Sequence, residues 1–194
     1  AHANLDVILK FTGGTRLNPK KVIWKLFRKS KVYFEEKVPF SFDPDVLKGN
    51  NRYLKGYWQN TNYLEPCAEE LRDAFTFPAF SSDNNKRLAH EIAKVESVSV
   101  HFRRGDFLRS SNLGLFGGIC SDQYYLRAIH TIENTIVEPV FYVFCDDPQW
   151  AKDSFTDARF TVIDWNTGSS SYRDMQLMSL CKHNIIANST FSWW

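Results

Sequence analysis

At 194 residues and a formal charge of only +2, the chain has room for one sizeable core or two small lobes sharing a cleft, and it lacks the basic excess of a nucleic-acid binder. Hydrophobic residues at 43% and charged residues at 24% exclude a disordered chain, and no apolar run approaches the roughly 20 residues of a membrane span. Four cysteines, Cys67, Cys120, Cys145 and Cys181, form no Cys-x-x-Cys pair, so neither a zinc site nor a dense disulfide framework is indicated and reduced core thiols are expected.

Over residues 18–29 a cap residue, Pro19 at the first helical position, and apolar Val22, Ile23, Leu26 and Phe27 predict an amphipathic helix. Lys20, Lys21, Lys25, Arg28 and Lys29 make its other face basic: a solvated face, or one able to touch an anionic membrane surface. The first residues lack a signal-peptide pattern, so a cytoplasmic location is expected, peripheral to a membrane if the basic helix is used that way. Residues 38–51, with Pro39, Pro44 and Gly49, read as a connection between lobes. Asp43-Pro44-Asp45 within it has an Asp-x-Asp spacing that can hold a metal and nucleotide, but no strand precedes it and the motif is weak. After Tyr53-Leu54-Lys55-Gly56-Tyr57-Trp58-Gln59 come helices over 62–75 and, with Asp83 as cap, over 84–95.

From there the pattern alternates regularly. Strand 97–102 precedes helix 122–134, capped by Ser121; strand 139–144 precedes a short helix begun by Asp147-Pro148. Strand 159–164 leads through a Gly/Ser loop to helix 172–183, and a short strand over 184–187 meets Asn188-Ser189-Thr190 and a last helical start. Such alternation predicts a parallel, Rossmann-like α/β sheet with flanking helices, doubly wound through right-handed crossovers. Sheets of this class bind ligands beyond their strand C-termini, where this sequence puts its most reactive residues. Arg103, Arg104 and Asp106 follow the first strand, Asp146 and Asp147 the second, Asp164 and Asn166 the third, and Asn188 to Ser192 the fourth.

Each of these has a plainer reading beside the functional one. Arg103 and Arg104 present bidentate forks suited to phosphate, with Gly105 easing the turn, yet an Arg–Asp106 pair fixing the loop is the structural alternative. His101 inside a strand is more often a hydrogen-bonded structural histidine than a base. Asp147 before Pro148 reads mainly as a helix cap. Asn188, Ser189, Thr190 and Ser192 gather donors at a presumed helix N-terminus, suiting a pyrophosphate or sugar; the alternative is a capping box. Trp193 and Trp194 are expected in the core, and Met175, Leu177, Met178, Leu180 and Cys181 along a buried helix. Asn188-Ser189-Thr190 also fits a glycosylation sequon, read as coincidence. No Walker loop, Gly-x-Ser-x-Gly elbow or His-Glu-x-x-His helix is present.

Taken together, Gly56-Tyr57-Trp58-Gln59, residues 101–106, residues 122–129, Phe144-Cys145-Asp146-Asp147-Pro148-Gln149-Trp150, Asp174-Met175-Gln176-Leu177-Met178 and residues 188–194 resemble the α-1,2-fucosyltransferases of glycosyltransferase family 11. Order and spacing match from about Asn50 to Trp194, in a form closer to bacterial than to animal members.

The resemblance implies inverting transfer of L-fucose from GDP-β-L-fucose to the 2-hydroxyl of a terminal galactose, in a two-lobed GT-B-type fold without a required metal or other cofactor. The partners it implies are GDP-fucose and a galactose-terminated glycan, with no nucleic acid. Arg103 would stabilise the leaving diphosphate, with His101, Arg104, Asn188, Ser189, Thr190 and Ser192 around the donor, Asp146 near the ribose or guanine, and His101 and Asp106 shaping the loop. Asp106 is the nearest candidate base, although a carboxylate beside two guanidiniums is a weak one. The family's opening Gly-Gly-Leu-Gly-Asn-Gln loop is not found, Gly13-Gly14 standing in an unrelated context. Residues 1–49 are therefore expected to be a remnant of the first lobe and its connector, and 50–194 a GDP-fucose-binding domain cut short, in a fragment of a longer enzyme. A non-catalytic nucleotide-sugar or glycan-binding module derived from such an enzyme is the alternative.

Overall fold

The computed structural model describes residues 33–48, 52–105 and 119–194. The basic helix expected over 18–29, Gly13-Gly14 and Asp106 lie outside the described residues. The chain divides between Thr76 and Phe77 into two units.

In the first unit β1 (Tyr33–Glu35) pairs in parallel with β2 (Tyr53–Lys55), Tyr33 opposite Tyr53 with their rings stacked at 5.7 Å. The connection between them contains a 3-10 turn, Pro44–Leu47, begun by Asp43, whose carboxylate accepts the Asp45 N–H, while Asp45 pairs with Lys48 at 2.7 Å. The Asp-x-Asp carboxylates are thus engaged in local turn chemistry. The helix expected over 62–75 is broken into 3-10 turns, Thr61–Tyr63 and Glu65–Cys67, before α1 (Ala68–Ala74). Pro66 cannot donate the intrahelical bond that a continuous helix would need there.

The second unit holds α2 (Asp83–Ile92), β3 (Glu96–Phe102), α3 (Asp122–Thr135), β4 (Pro139–Cys145), α4 (Pro148–Ser154), β5 (Phe160–Ile163), α5 (Tyr172–Leu180), β6 (His183–Ile185) and α6 (Thr190–Trp193). Ser82, not Asp83, holds the cap position of α2, and Asp83 pairs instead with Lys86 in the first turn. Ser121 caps α3 by accepting the Tyr124 N–H, and Asp147 caps α4 by accepting that of Trp150 at 3.2 Å. All four strands are parallel, in the order β5-β4-β3-β6.

Both faces of this sheet are covered, as the period-two alternation of β4 requires. Phe141 and Val143 join Val98, Val100 and Phe102 of β3 against Tyr125 of α3 and Ala151 of α4. Tyr142 and Phe144 face the other way and join Ile163, packing on Leu88 and Ile92 of α2 and Leu177 and Met178 of α5. Phe141, Phe144, Ile92 and Leu177 are fully buried, each stabilising the fold by about 1.5–3 kcal/mol. Behind its valines β3 buries a polar stripe, Ser97, Ser99 and His101. Ser99 donates to Asn184 Oδ1, and Ser97 accepts the Lys182 N–H at 3.1 Å, so the stripe ties β3 to the β6 segment.

Two core expectations are corrected. Trp193 and Trp194 are 57% and 46% exposed, because α6 is a four-residue turn that presents only Phe191 to the core. Leu180, the last residue of α5, is likewise exposed. The cysteines are free thiols; Cys181 is buried and the other three half-buried, and burial pushes the Cys145 thiol up to about 11 and that of Cys181 to about 12. Neither is therefore a nucleophile at neutral pH. Among the described residues no helix is long and apolar enough to cross a membrane.

Candidate active site at the strand ends

Parallel strands put all their C-termini on one edge, so the arrangement brings Arg103 and Arg104, Asp146 and Asp147, Asp164, and Asn188 to Ser192 to that edge. Strand order reverses between β3 and β6: successive crossovers run outward from β3 through β4 to β5, and the chain then returns to lay β6 on the other side of β3. A reversal of this kind opens a crevice between the loops that leave in opposite directions. Here those loops are the arginine loop after β3 and the Asn188-Ser189-Thr190 turn after β6.

Asp146 shapes the arginine loop. Its Oδ1 accepts the Arg104 N–H at 2.7 Å and its Oδ2 that of Gly105 at 3.1 Å, while Arg103 Nε lies 3.5 Å from Oδ2. A Cβ at position 105 would stand 3.1 Å from that same oxygen, so glycine allows the close approach. Asp146, expected from the sequence near the ribose or guanine, here accepts two backbone amides of the loop and lies beside Arg103. Asp106, for which that pairing was expected, lies outside the described residues.

The two arginines diverge, as neighbours on an extended segment must. Arg103 stays half-exposed at the edge. Arg104 turns onto Trp150, its guanidinium carbon 3.9 Å from the ring centroid, with its Nε buried and without a hydrogen-bond partner. No sequence rule connects an arginine after one strand with a tryptophan in the helix after the next, so the role of Trp150 is not legible from its motif.

His101 is 5% exposed, and burial lowers its imidazole to about 4, so it is neutral at physiological pH. Its Nδ1 has no hydrogen-bond partner, its ring lies 5.5 Å from that of Phe191, and its carbonyl accepts the Tyr125 hydroxyl at 3.0 Å. At the β6 turn, Ser189 accepts the Phe191 N–H at 3.2 Å and Ser192 accepts that of Ala187 at 3.2 Å, which leaves Asn188 and Thr190 exposed. Asp164 forms an ion pair with Lys152. Among the described residues no three His, Cys, Asp or Glu side chains gather to hold a metal ion.

The glycosyl transferase family 11 model matches residues 43–194, from the 3-10 turn to the α6 tryptophans. The chain belongs to glycosyl transferase family 11. Among curated relatives, an alpha-1,2-colitosyltransferase of Escherichia coli is 37% identical over 150 residues, covering 76% of this chain and 51% of that protein. The O-antigen biosynthesis glycosyltransferase WbnK of Escherichia coli is 42% identical over 101 residues, 52% of this chain and 33% of that protein. The mouse galactoside 2-alpha-L-fucosyltransferase Sec1 is 34% identical over 100 residues, 50% of this chain and 27% of that protein. The chain thus spans about half or less of the length of these relatives. No solved structure matches it. Membership makes this a fucosyltransferase-like glycosyltransferase chain, and the Rossmann-like parallel sheet agrees with that class.

Proposed function

We propose that the chain is the donor-binding part of a galactoside α-1,2-fucosyltransferase of GT-B arrangement, taking L-fucose from GDP-β-L-fucose to the 2-hydroxyl of a terminal galactoside with inversion and without a metal. The observation that carries the reading is the reversal of strand order between β3 and β6, which places the arginine loop and the Asn188-Ser189-Thr190 turn on adjacent strand ends in a family 11 chain.

As the fucosyl group departs, the sugar becomes oxocarbenium-like and negative charge grows on the GDP β-phosphate. A cation fixed before the reaction stabilises that charge without having to reorganise. Arg103 has this role in our reading: its carrying loop is clamped by Asp146, which also lies 3.5 Å from its Nε, and the residue is half-exposed at the edge. Arg104, its guanidinium over the Trp150 ring, supports the loop and adds positive potential, while Asn188 and Thr190 supply neutral donors from the turn after β6. The neutral His101 cannot compete as a cation, so the phosphate is drawn to the arginines.

A second reading of the transferred sugar has its own support. The relative named alpha-1,2-colitosyltransferase covers more of this chain than the other two relatives described above. The donor test therefore runs GDP-fucose and GDP-colitose separately with lactose, following GDP release and glycosylated product by chromatography. Product from GDP-fucose in EDTA is the expected result. Product from GDP-colitose alone assigns the second donor, GDP binding without product supports a binding module, and activity lost in EDTA but restored by manganese overturns metal independence.

A further inference from the structure

The crevice between the two loops begins where the sheet stops pairing on one side. The β3–β6 register runs from Val98 and His183 only to Val100 and Ile185, whereas the β3–β4 register continues two residues further, to Phe102 and Cys145. From His101 onward β3 therefore keeps β4 but gives up β6 as a ladder partner. The separation of these two strand ends has to be fixed by something other than the ladder.

Two adjacent tyrosines near the start of α3 do so. The Tyr125 hydroxyl donates to the His101 carbonyl at 3.0 Å, and the Tyr124 hydroxyl donates to the Ile186 carbonyl at 2.8 Å. Consecutive helix positions diverge by about 100°, so a single turn of α3 can reach two strands. The two rings meet edge-on, 4.9 Å apart, and that of Tyr125 lies 4.0 Å from Phe102, which braces the arms against each other and against the end of β3. Burial raises both phenols, which keep their protons and remain donors across the physiological range.

The tethered carbonyls stand at matching places, His101 two residues before Arg103 and Ile186 two residues before Asn188. Each loop is also held locally. Asp146 clamps the first; in the second the Ser189 N–H donates to the Ala187 carbonyl at 2.8 Å, and Ser192 accepts the Ala187 N–H at 3.2 Å. Local bonds fix the shape of each loop but not its distance from the other, and the shared helix supplies that distance.

We propose that Tyr124 and Tyr125 are positioning residues of the donor site, their two hydroxyl tethers setting the separation between the arginine loop and the Asn188-Ser189-Thr190 turn. A diphosphate held by both loops binds best when that separation is fixed before it arrives, because the ordering cost is then already met in the fold. The role rests on the reading of these loops as the GDP site, and in it neither tyrosine touches the donor.

The test measures GDP affinity by calorimetry, and stability by urea unfolding, in the full chain and in its Tyr124→Phe and Tyr125→Phe variants, each of which loses one hydroxyl and keeps the ring. Each is expected to fold and to bind GDP about three- to tenfold more weakly, the effect of one hydrogen bond. Tyr124→Phe stands as an independent arm should Tyr125→Phe not fold. A merely structural role would lower stability and leave GDP affinity at the parental value. A double-mutant cycle tests the route: added to Arg103→Ala, Tyr125→Phe is expected to weaken GDP binding by about twofold or less, since the contact it positions is already gone. Parental GDP affinity in the folded variants, or an undiminished loss in the Arg103→Ala background, overturns the positioning role and leaves the donor reading standing. A folded parent that binds no GDP overturns the donor reading and the role that rests on it.

Discussion

Asp146 holds the backbone of Arg104, accepting its N–H at 2.7 Å from 42 residues away in the chain. With the Gly105 amide on its second oxygen, one carboxylate at the end of β4 satisfies two donors of the loop leaving β3. Asp146→Ala is expected to destabilise the protein by about 1–2 kcal/mol and to weaken GDP binding together with it, since the loop that presents Arg103 is released. Urea unfolding and calorimetry measure the two. A folded variant with unchanged GDP affinity would separate Asp146 from the donor site.

Arg103 and Arg104 are expected to differ under substitution. Arg103→Ala removes the proposed phosphate contact, and a loss of GDP affinity of about ten- to a hundredfold follows from losing a charged hydrogen-bond donor. Arg103→Lys should recover only part of it, because a point charge does not reproduce a bidentate fork. Arg104→Lys also loses its stacking on Trp150, so its effect should appear in stability as well as in binding. Parental GDP affinity in folded Arg103→Ala would exclude the role given to Arg103.

The local signals in the sequence were reliable where a single residue decides the outcome. Ser121 and the Asp147-Pro148 pair begin helices because a side-chain acceptor and a fixed φ act within one turn. The regular alternation of strands with helices after residue 96 implied a parallel sheet, which the order β5-β4-β3-β6 bears out. Nothing local, however, states that β6 returns beside β3, and the crevice depends on that return. The Asp146 clamp and the Arg104–Trp150 stack were equally illegible, each joining loops or helices on different strands. Trp193 and Trp194 show the limit of composition: large apolar residues suggest a core, but a four-residue helix has only one inward position, and Phe191 takes it.

Gly56 was legible as part of a motif but not for its reason. Adding one methyl group there sets two Cβ atoms 2.5 Å apart, with the Glu36 carboxylate at 2.8 Å. Gly56→Ala is expected to destabilise the first unit by about 1–3 kcal/mol, the usual effect of overpacking, and to disturb Trp58. Near-ultraviolet circular dichroism and denaturant unfolding read both effects; an unperturbed tryptophan signal would argue against the close approach.

Asn85 is 2% exposed and joins α2 to the segment after β5. It exchanges hydrogen bonds with Asn166, donating at 2.8 Å and accepting at 3.1 Å, and its Oδ1 also accepts the Trp165 indole N–H at 2.6 Å. Asn85→Ala would strand donors and an acceptor that water reaches poorly. A loss of about 2–4 kcal/mol is expected in urea unfolding, several times that of an exposed asparagine.

Asn166 passes this network on to Asp174, donating to its Oδ1 at 2.8 Å. Burial raises the Asp174 carboxyl from an ordinary 3.8 to about 6, the Asn166 hydrogen bond pulling more weakly the other way. Because the folded value lies above the unfolded one, the folded protein holds more protons between about pH 4 and 6. Stability from this group is therefore complete below about pH 4 and is lost as pH rises to about 6, by no more than about 3 kcal/mol. Asp174→Asn keeps an acceptor for Asn166 and removes the buried charge, so it is expected to flatten this part of the profile and to exceed the parent in stability at pH 7. Urea unfolding of both proteins from pH 4 to 7.5 measures the difference directly, since other titrating groups contribute alike to each. Parallel profiles would show that Asp174 is solvated in the folded protein, and that the Asn85–Asn166–Asp174 chain ends in water and not in the core.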